Sequence, residues 1–143
     1  MGLIKSLHGK KIFLDTAPLI YYIEDNNIYV QKLNELFEVK NRCRFVTSVI
    51  TLSEVLVMPL KERKPELVKQ YENILTNAEN IDIYEINIQI AKESAQLRAK
   101  YQIKTPDAIQ LATAQYCAVD YFLTNDLKLK SINKLQVITL NDL

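Results

Sequence analysis

Five short runs rich in β-branched and aromatic residues, each set apart from the next by a stretch of helical periodicity, most narrow what this chain can become. They are Lys11–Asp15 (KIFLD), Arg44–Ser48 (RFVTS), Ile81–Ile86 (IDIYEI), Tyr121–Thr124 (YFLT) and Gln136–Thr139 (QVIT). Between them, apolar residues recur at i, i+3 and i+4, as at Leu33, Leu36 and Phe37, which predicts a helix over roughly 29–39. Pro18 suits a helix start, because a proline there forgoes no intrahelical bond, and Leu19–Glu24 reads as a short helix. Thr51-Leu52-Ser53-Glu54 reads as a capping box opening a helix that stops near Pro59. Leu67, Tyr71, Ile74 and Leu75 mark one face of another, and Asn87–Tyr101 reads as a further helix. Thr105-Pro106-Asp107 reads as an N-cap, a proline and a first-turn acid, opening an Ala-rich helix to Cys117. Strands separated by helices predict βα units: a mostly parallel five-stranded sheet with helices on both faces, a three-layer α/β/α fold. At 143 residues, with no repeat or linker, residues 1–143 are expected to form one domain.

Composition removes several kinds of chemistry. Gly2 and Gly9 cannot build a phosphate-cradling glycine loop. One histidine, His8, and two distant cysteines, Cys43 and Cys117, match no zinc spacing. The cysteines are expected as free thiols, Cys117 as a small core residue, in a reducing cytoplasm. No apolar run approaches the roughly 18 residues that span a bilayer, so no membrane partner is expected. Met1 to Ser6 formally fits a myristoylation pattern, one too short to carry weight. A net charge of +1, from 18 basic and 17 acidic side chains, gives no strong field toward a polyanion.

The chemistry lies in where the acids fall. Asp15 ends the first strand, Asp126 follows the fourth, Glu54 lies in the first turn after the second, and Asp107 opens a late helix. In an open parallel sheet the carboxyl ends of the strands line the ligand crevice. Each acid alone has a plainer duty: Asp15 as a helix cap, Glu54 in its capping box, Asp107 against a helix dipole, Asp126 in a turn. Convergence would make them useful. Clustered carboxylates raise each other's pKa. A divalent cation relieves that repulsion and can activate a water for in-line attack on a phosphodiester.

The segments FLDTAPLIYYIE (Phe13–Glu24), VTSVITLSEVL (Val46–Leu56), KTPDAIQLATA (Lys104–Ala114) and FLTNDLKL (Phe122–Leu129) occur in a distinctive order. Together they resemble the PIN-domain family, in particular its compact VapC-like ribonucleases, over about Ile12 to Leu140. The resemblance matches Asp15, Glu54, Asp107 and Asp126 to the family's metal-binding acids. It matches Thr124, with Thr16 and Asn125, to polar positions that support them. It implies sheet order 3-2-1-4-5, dependence on Mg²⁺ or Mn²⁺, RNA as substrate, a homodimer, and a small antitoxin as partner. Lys104, Lys128, Lys130 and Lys134 neighbour the acids in sequence and are candidates for phosphate contacts, or else a solvated fringe.

Other readings fit less well. A haloacid-dehalogenase-like phosphatase needs a second acid two residues after the first, and that position is Ala17. A receiver domain needs an acid ending the third strand, which here runs into Glu85-Ile86-Asn87. A non-catalytic PIN-like scaffold that binds RNA or protein is the strongest rival, and it has no need of clustered negative charge.

Overall fold

A computed structural model describes residues 2–143. Five strands form one sheet in the order β3-β2-β1-β4-β5, and every pairing is parallel. The strands are β1 (Lys11–Leu14), β2 (Arg44–Ser48), β3 (Ile81–Tyr84), β4 (Tyr121–Thr124) and β5 (Val137–Thr139). Neighbouring side chains on a strand point to opposite faces, and the core divides accordingly. Ile12, Leu14, Phe45 and Leu123 join one apolar cluster, while Phe13, Val46 and Phe122 join the other.

On the first face lie α1 (Leu3–Ser6), α2 (Thr16–Ile23), α3 (Val30–Phe37), α4 (Val49–Lys61) and α5 (Pro65–Asn77). They contribute Leu19, Leu33, Val55, Tyr71 and Leu75 to the first cluster. On the second face lie α6 (Ile88–Lys100) and α7 (Thr105–Tyr116), which contribute Ile90, Leu97, Ala108, Leu111, Ala112 and Ala114. This is the three-layer architecture the alternation predicts, with the sheet order the resemblance implies and, among the described residues, no antiparallel strand. Phe13 and Phe122 are register partners on β1 and β4, and their rings stack at 5.1 Å and 4°. That pair ties together the two strands between which the direction of winding reverses.

Helix starts depart from expectation at three places. Asp15 caps α2, which begins at Thr16, three residues before Leu19. Ser48, not Thr51, caps α4, its hydroxyl accepting from the Ile50 N–H at 3.1 Å. The helix therefore begins at Val49, and Glu54 falls in its second turn rather than its first. Pro59 does not stop it: α4 runs on to Lys61 with Pro59 inside and buried. Burial of the ring offsets the lost donor, and the Pro59 carbonyl accepts from the Lys64 N–H at 2.9 Å just beyond the helix. Thr105 is the first helical residue of α7; Lys104 holds the cap position and makes no side-chain cap. The short α1 escaped the sequence reading, being too brief for periodicity to register. His8 is exposed, and both cysteines are free and buried. Among the described residues no helix is long and apolar enough to cross a membrane.

Candidate active site

β1 and β4 lie side by side at the reversal of strand order, where an open sheet forms its crevice. Asp15 leaves β1 here. Its N–H donates to the Leu123 carbonyl at 3.0 Å, continuing the pairing one residue beyond the strand. One carboxylate oxygen caps α2, accepting from the Thr16 N–H at 2.9 Å. The other accepts from the Thr124 hydroxyl at 2.7 Å. Thr124 is fully buried at the end of β4, so its hydroxyl is fixed before any ligand arrives. That oxygen also accepts from the Asp126 N–H at 3.1 Å. Asp126 in turn caps the 3-10 turn Leu127–Ser131, accepting from the Lys128 N–H at 3.0 Å. The capping duties weighed for Asp15 and Asp126 are thus real, and each leaves the carboxylate at the crevice.

Glu54 is exposed on α4 and accepts from the Thr16 hydroxyl. Asp107 is half-buried in the first turn of α7. Burial raises its pKa most, and the charges of Asp15, Asp126 and Glu54 raise it further, while Lys104 opposes them. Asp15 is likewise raised, first by burial and then by Glu54, against the lowering effect of its bonds from Thr124, Thr16 and Gln110. The four acids, distant in sequence, therefore share one electrostatic neighbourhood. Among the described residues, however, no three acidic, histidine or cysteine side chains are close enough to clasp a metal ion together.

Beneath the acids lies a polar network that the sequence reading missed. The Gln110 side chain, 1% exposed, accepts from the Ser48 hydroxyl and donates to Thr51 Oγ1 at 2.6 Å. Thr47 Oγ1 lies 2.8 Å from both Thr51 Oγ1 and the Leu14 carbonyl. The network binds the ends of β1 and β2 to α4 and α7 and reaches Asp15. Helical spacing carried the signal. Gln110 stands three residues after Asp107 and Thr51 three before Glu54, each on the face of its acid.

The basic candidates divide. Lys104 sits at the start of α7, where its charge bears on Asp107, and Lys128 is exposed in the turn after Asp126. Lys130 is paired with Asp142 at 2.6 Å and Lys134 with Glu93 at 3.6 Å. Lys134 lines a cleft of about 410 Å³ between α6 and α7.

Residues 12–135 match the family described as PIN domain. Ribonuclease VapC2 of Methanocaldococcus jannaschii is 26% identical over 144 residues, which cover 92% of this chain and 95% of that protein. A toxin–antitoxin complex from Klebsiella pneumoniae contains a similar chain, with TM-score 0.72 and 26% identity, covering 92% of this chain and 99% of that one. VapBC2 from Rickettsia felis, bound to a DNA fragment from its promoter, shares the fold at TM-score 0.71 and 19% identity, covering 90% and 98%.

Proposed function

The chain belongs to the PIN domain family, and on that premise we propose that it is a divalent-metal-dependent endoribonuclease, the toxin of a toxin–antitoxin pair. The observation that carries this reading is the shared neighbourhood of Asp15, Glu54, Asp107 and Asp126 at the crevice of a parallel sheet. The relatives support the biological setting: one is a ribonuclease by name and another comes from a toxin–antitoxin complex. A small antitoxin is accordingly the expected partner.

The donor set suits a hard cation. It offers carboxylate oxygens in place of sulfur or imidazole, and it carries a repulsion that positive charge would relieve. Because no three acids converge at ligand distance among the described residues, the arrangement suits an ion held by one or two carboxylates and otherwise by water, as Mg²⁺ commonly is. Asp15 and Asp107, the two half-buried acids with raised pKa values, are the residues assigned to hold it, with Glu54 and Asp126 completing the negative field. When bound, Mg²⁺ or Mn²⁺ supplies an activated water and charge to balance the developing phosphate oxygens. Thr124 orients Asp15, Thr16 orients Glu54, and the Ser48–Gln110–Thr51 network holds their backbones in place. Lys104 and Lys128 stand where RNA phosphates would approach.

The test is cleavage of varied RNAs by purified protein in Mg²⁺, Mn²⁺ or EDTA, beside Asp15→Asn and Asp107→Asn. Cleavage should need metal and fall to background in either variant. Undiminished activity in both variants would overturn the assignment. Induced expression in a bacterial host should arrest growth with the native chain and not with Asp15→Asn. Growth unaffected by the native chain would remove the toxin reading.

A further inference from the structure

The acid site poses a problem of affinity. Four carboxylates stand where a polyanion must approach, and the net charge of +1 offers little general attraction. A stacked pair of tyrosines beside the acids offers a different source of binding. Asn125 lies between Thr124 and Asp126, and its Nδ2 donates to the Tyr21 hydroxyl at 3.4 Å. Tyr21 belongs to α2, the helix that Asp15 caps. Its ring stacks on that of Tyr29, with centroids 5.6 Å apart and planes at 12°. The Tyr29 hydroxyl donates to Asn141 Oδ1 at 3.0 Å.

The ledge is held in place before any ligand binds. Asn26 Oδ1 accepts from the Ile28 and Tyr29 N–H groups at 2.9 and 3.1 Å, fixing the turn that delivers Tyr29. Both tyrosines pack against the core and stay partly accessible to solvent. Asn125 and Asn141 are exposed. Asn125 keeps an acceptor and Asn141 a donor without a protein partner among the described residues. Ile28, next to Tyr29 in the chain, is 73% exposed, and Leu127, next to Asp126, is 68% exposed.

We propose that this ledge is a nucleobase subsite: a base of single-stranded RNA stacks on the Tyr21–Tyr29 pair, and the Asn125 and Asn141 amides meet its edge. Every base has a flat π face, so stacking holds any sequence, while edge contacts from amides bias the choice. The contact is insensitive to salt, unlike a phosphate contact, and so compensates for the weak field. The subsite rests on the ribonuclease reading, because it serves a phosphodiester brought to the acids.

The test uses the full chain in EDTA and short single-stranded RNAs carrying 4-thiouridine at successive positions. Photocrosslinking followed by mass spectrometry should place one position on the peptides bearing Tyr21 or Tyr29. Fluorescence anisotropy should show Tyr29→Leu weakening binding by about tenfold, the loss of one stacked base, with an unchanged salt slope. Tyr29→Phe, which keeps the ring, should bind within about twofold of the native chain. Crosslinks confined to other peptides, or equal affinity in Tyr29→Leu, would overturn the subsite. If metal-dependent cleavage persists in such a case, only the ledge falls. If the native chain neither binds nor cleaves RNA, the nuclease reading falls with it.

Discussion

At Asp107 a half-buried carboxyl faces three other acids, and its charged form bears the cost. An acid whose pKa is raised on folding binds more protons in the native state than in the unfolded chain. Stability from Asp107 and Asp15 therefore falls as pH rises above the ordinary value of 3.8. Asp142, lowered by its bonds from Lys130 and Thr139, works oppositely and loses its contribution as pH drops through the acid range. Melting curves in EDTA should accordingly show Asp107→Asn more stable than the native chain at pH 7, with the gap closing toward pH 4. Mn²⁺ should raise the melting temperature of the native chain and have little effect on that variant. An equal metal response in both would count against Asp107 as a ligand. Gln110→Met keeps the volume and removes the amide, leaving Ser48 and Thr51 without their partner. The expected cost is about 1–3 kcal/mol by denaturant unfolding, with a fall in kcat.

Two helix caps separate stability from chemistry. Asn87 caps α6, accepting from the Ile90 N–H at 2.8 Å, far from the acids in the fold. Asn87→Ala should cost about 1 kcal/mol and leave kcat unchanged. Ser48→Ala removes both the α4 cap and the bond to Gln110. It should cost about 1–2 kcal/mol and lower kcat as well. Unfolding and turnover measured on the same preparations distinguish the two cases. The elements also show what the sequence could reveal. β2 and β4 are legible to the residue, because both runs are rich in β-branched and aromatic side chains that favour a pleated strand. The start of α4 is not. Val49 and Ile50 continue the β-branched run of β2, and Thr51-Leu52-Ser53-Glu54 has the spacing of a capping box, but the Thr51 hydroxyl turns to the buried network. Pro59 misled for a related reason: a sequence shows the lost donor and not the burial that offsets it. Three of the acids stand out by following strands and Asp107 by opening a helix, whereas nothing in the sequence marks Gln110, in an Ala-rich helix whose buried face only packing defines.

For the molecule as a whole, the two apolar clusters share a single sheet, and residues 1–143 are expected to unfold in one cooperative transition. Calorimetric and van't Hoff enthalpies should agree; a second transition would divide the chain. A homodimer is expected from light scattering, and a monomer at working concentration would remove it. RNA affinity should fall as salt rises, and Lys128→Ala should lower the slope of log K against log[salt] by about 0.7, the release of one counterion from a single strand. Strand order has a consequence for synthesis too. Asp15 is fastened by Thr124, 109 positions later, since β4 is the neighbour of β1. A ribosome producing this chain therefore makes the first acid well before its clamp. Until β4 emerges, the nascent polypeptide lacks both the partner strand and the hydroxyl that fix Asp15, so a product released before that point would carry no completed crevice.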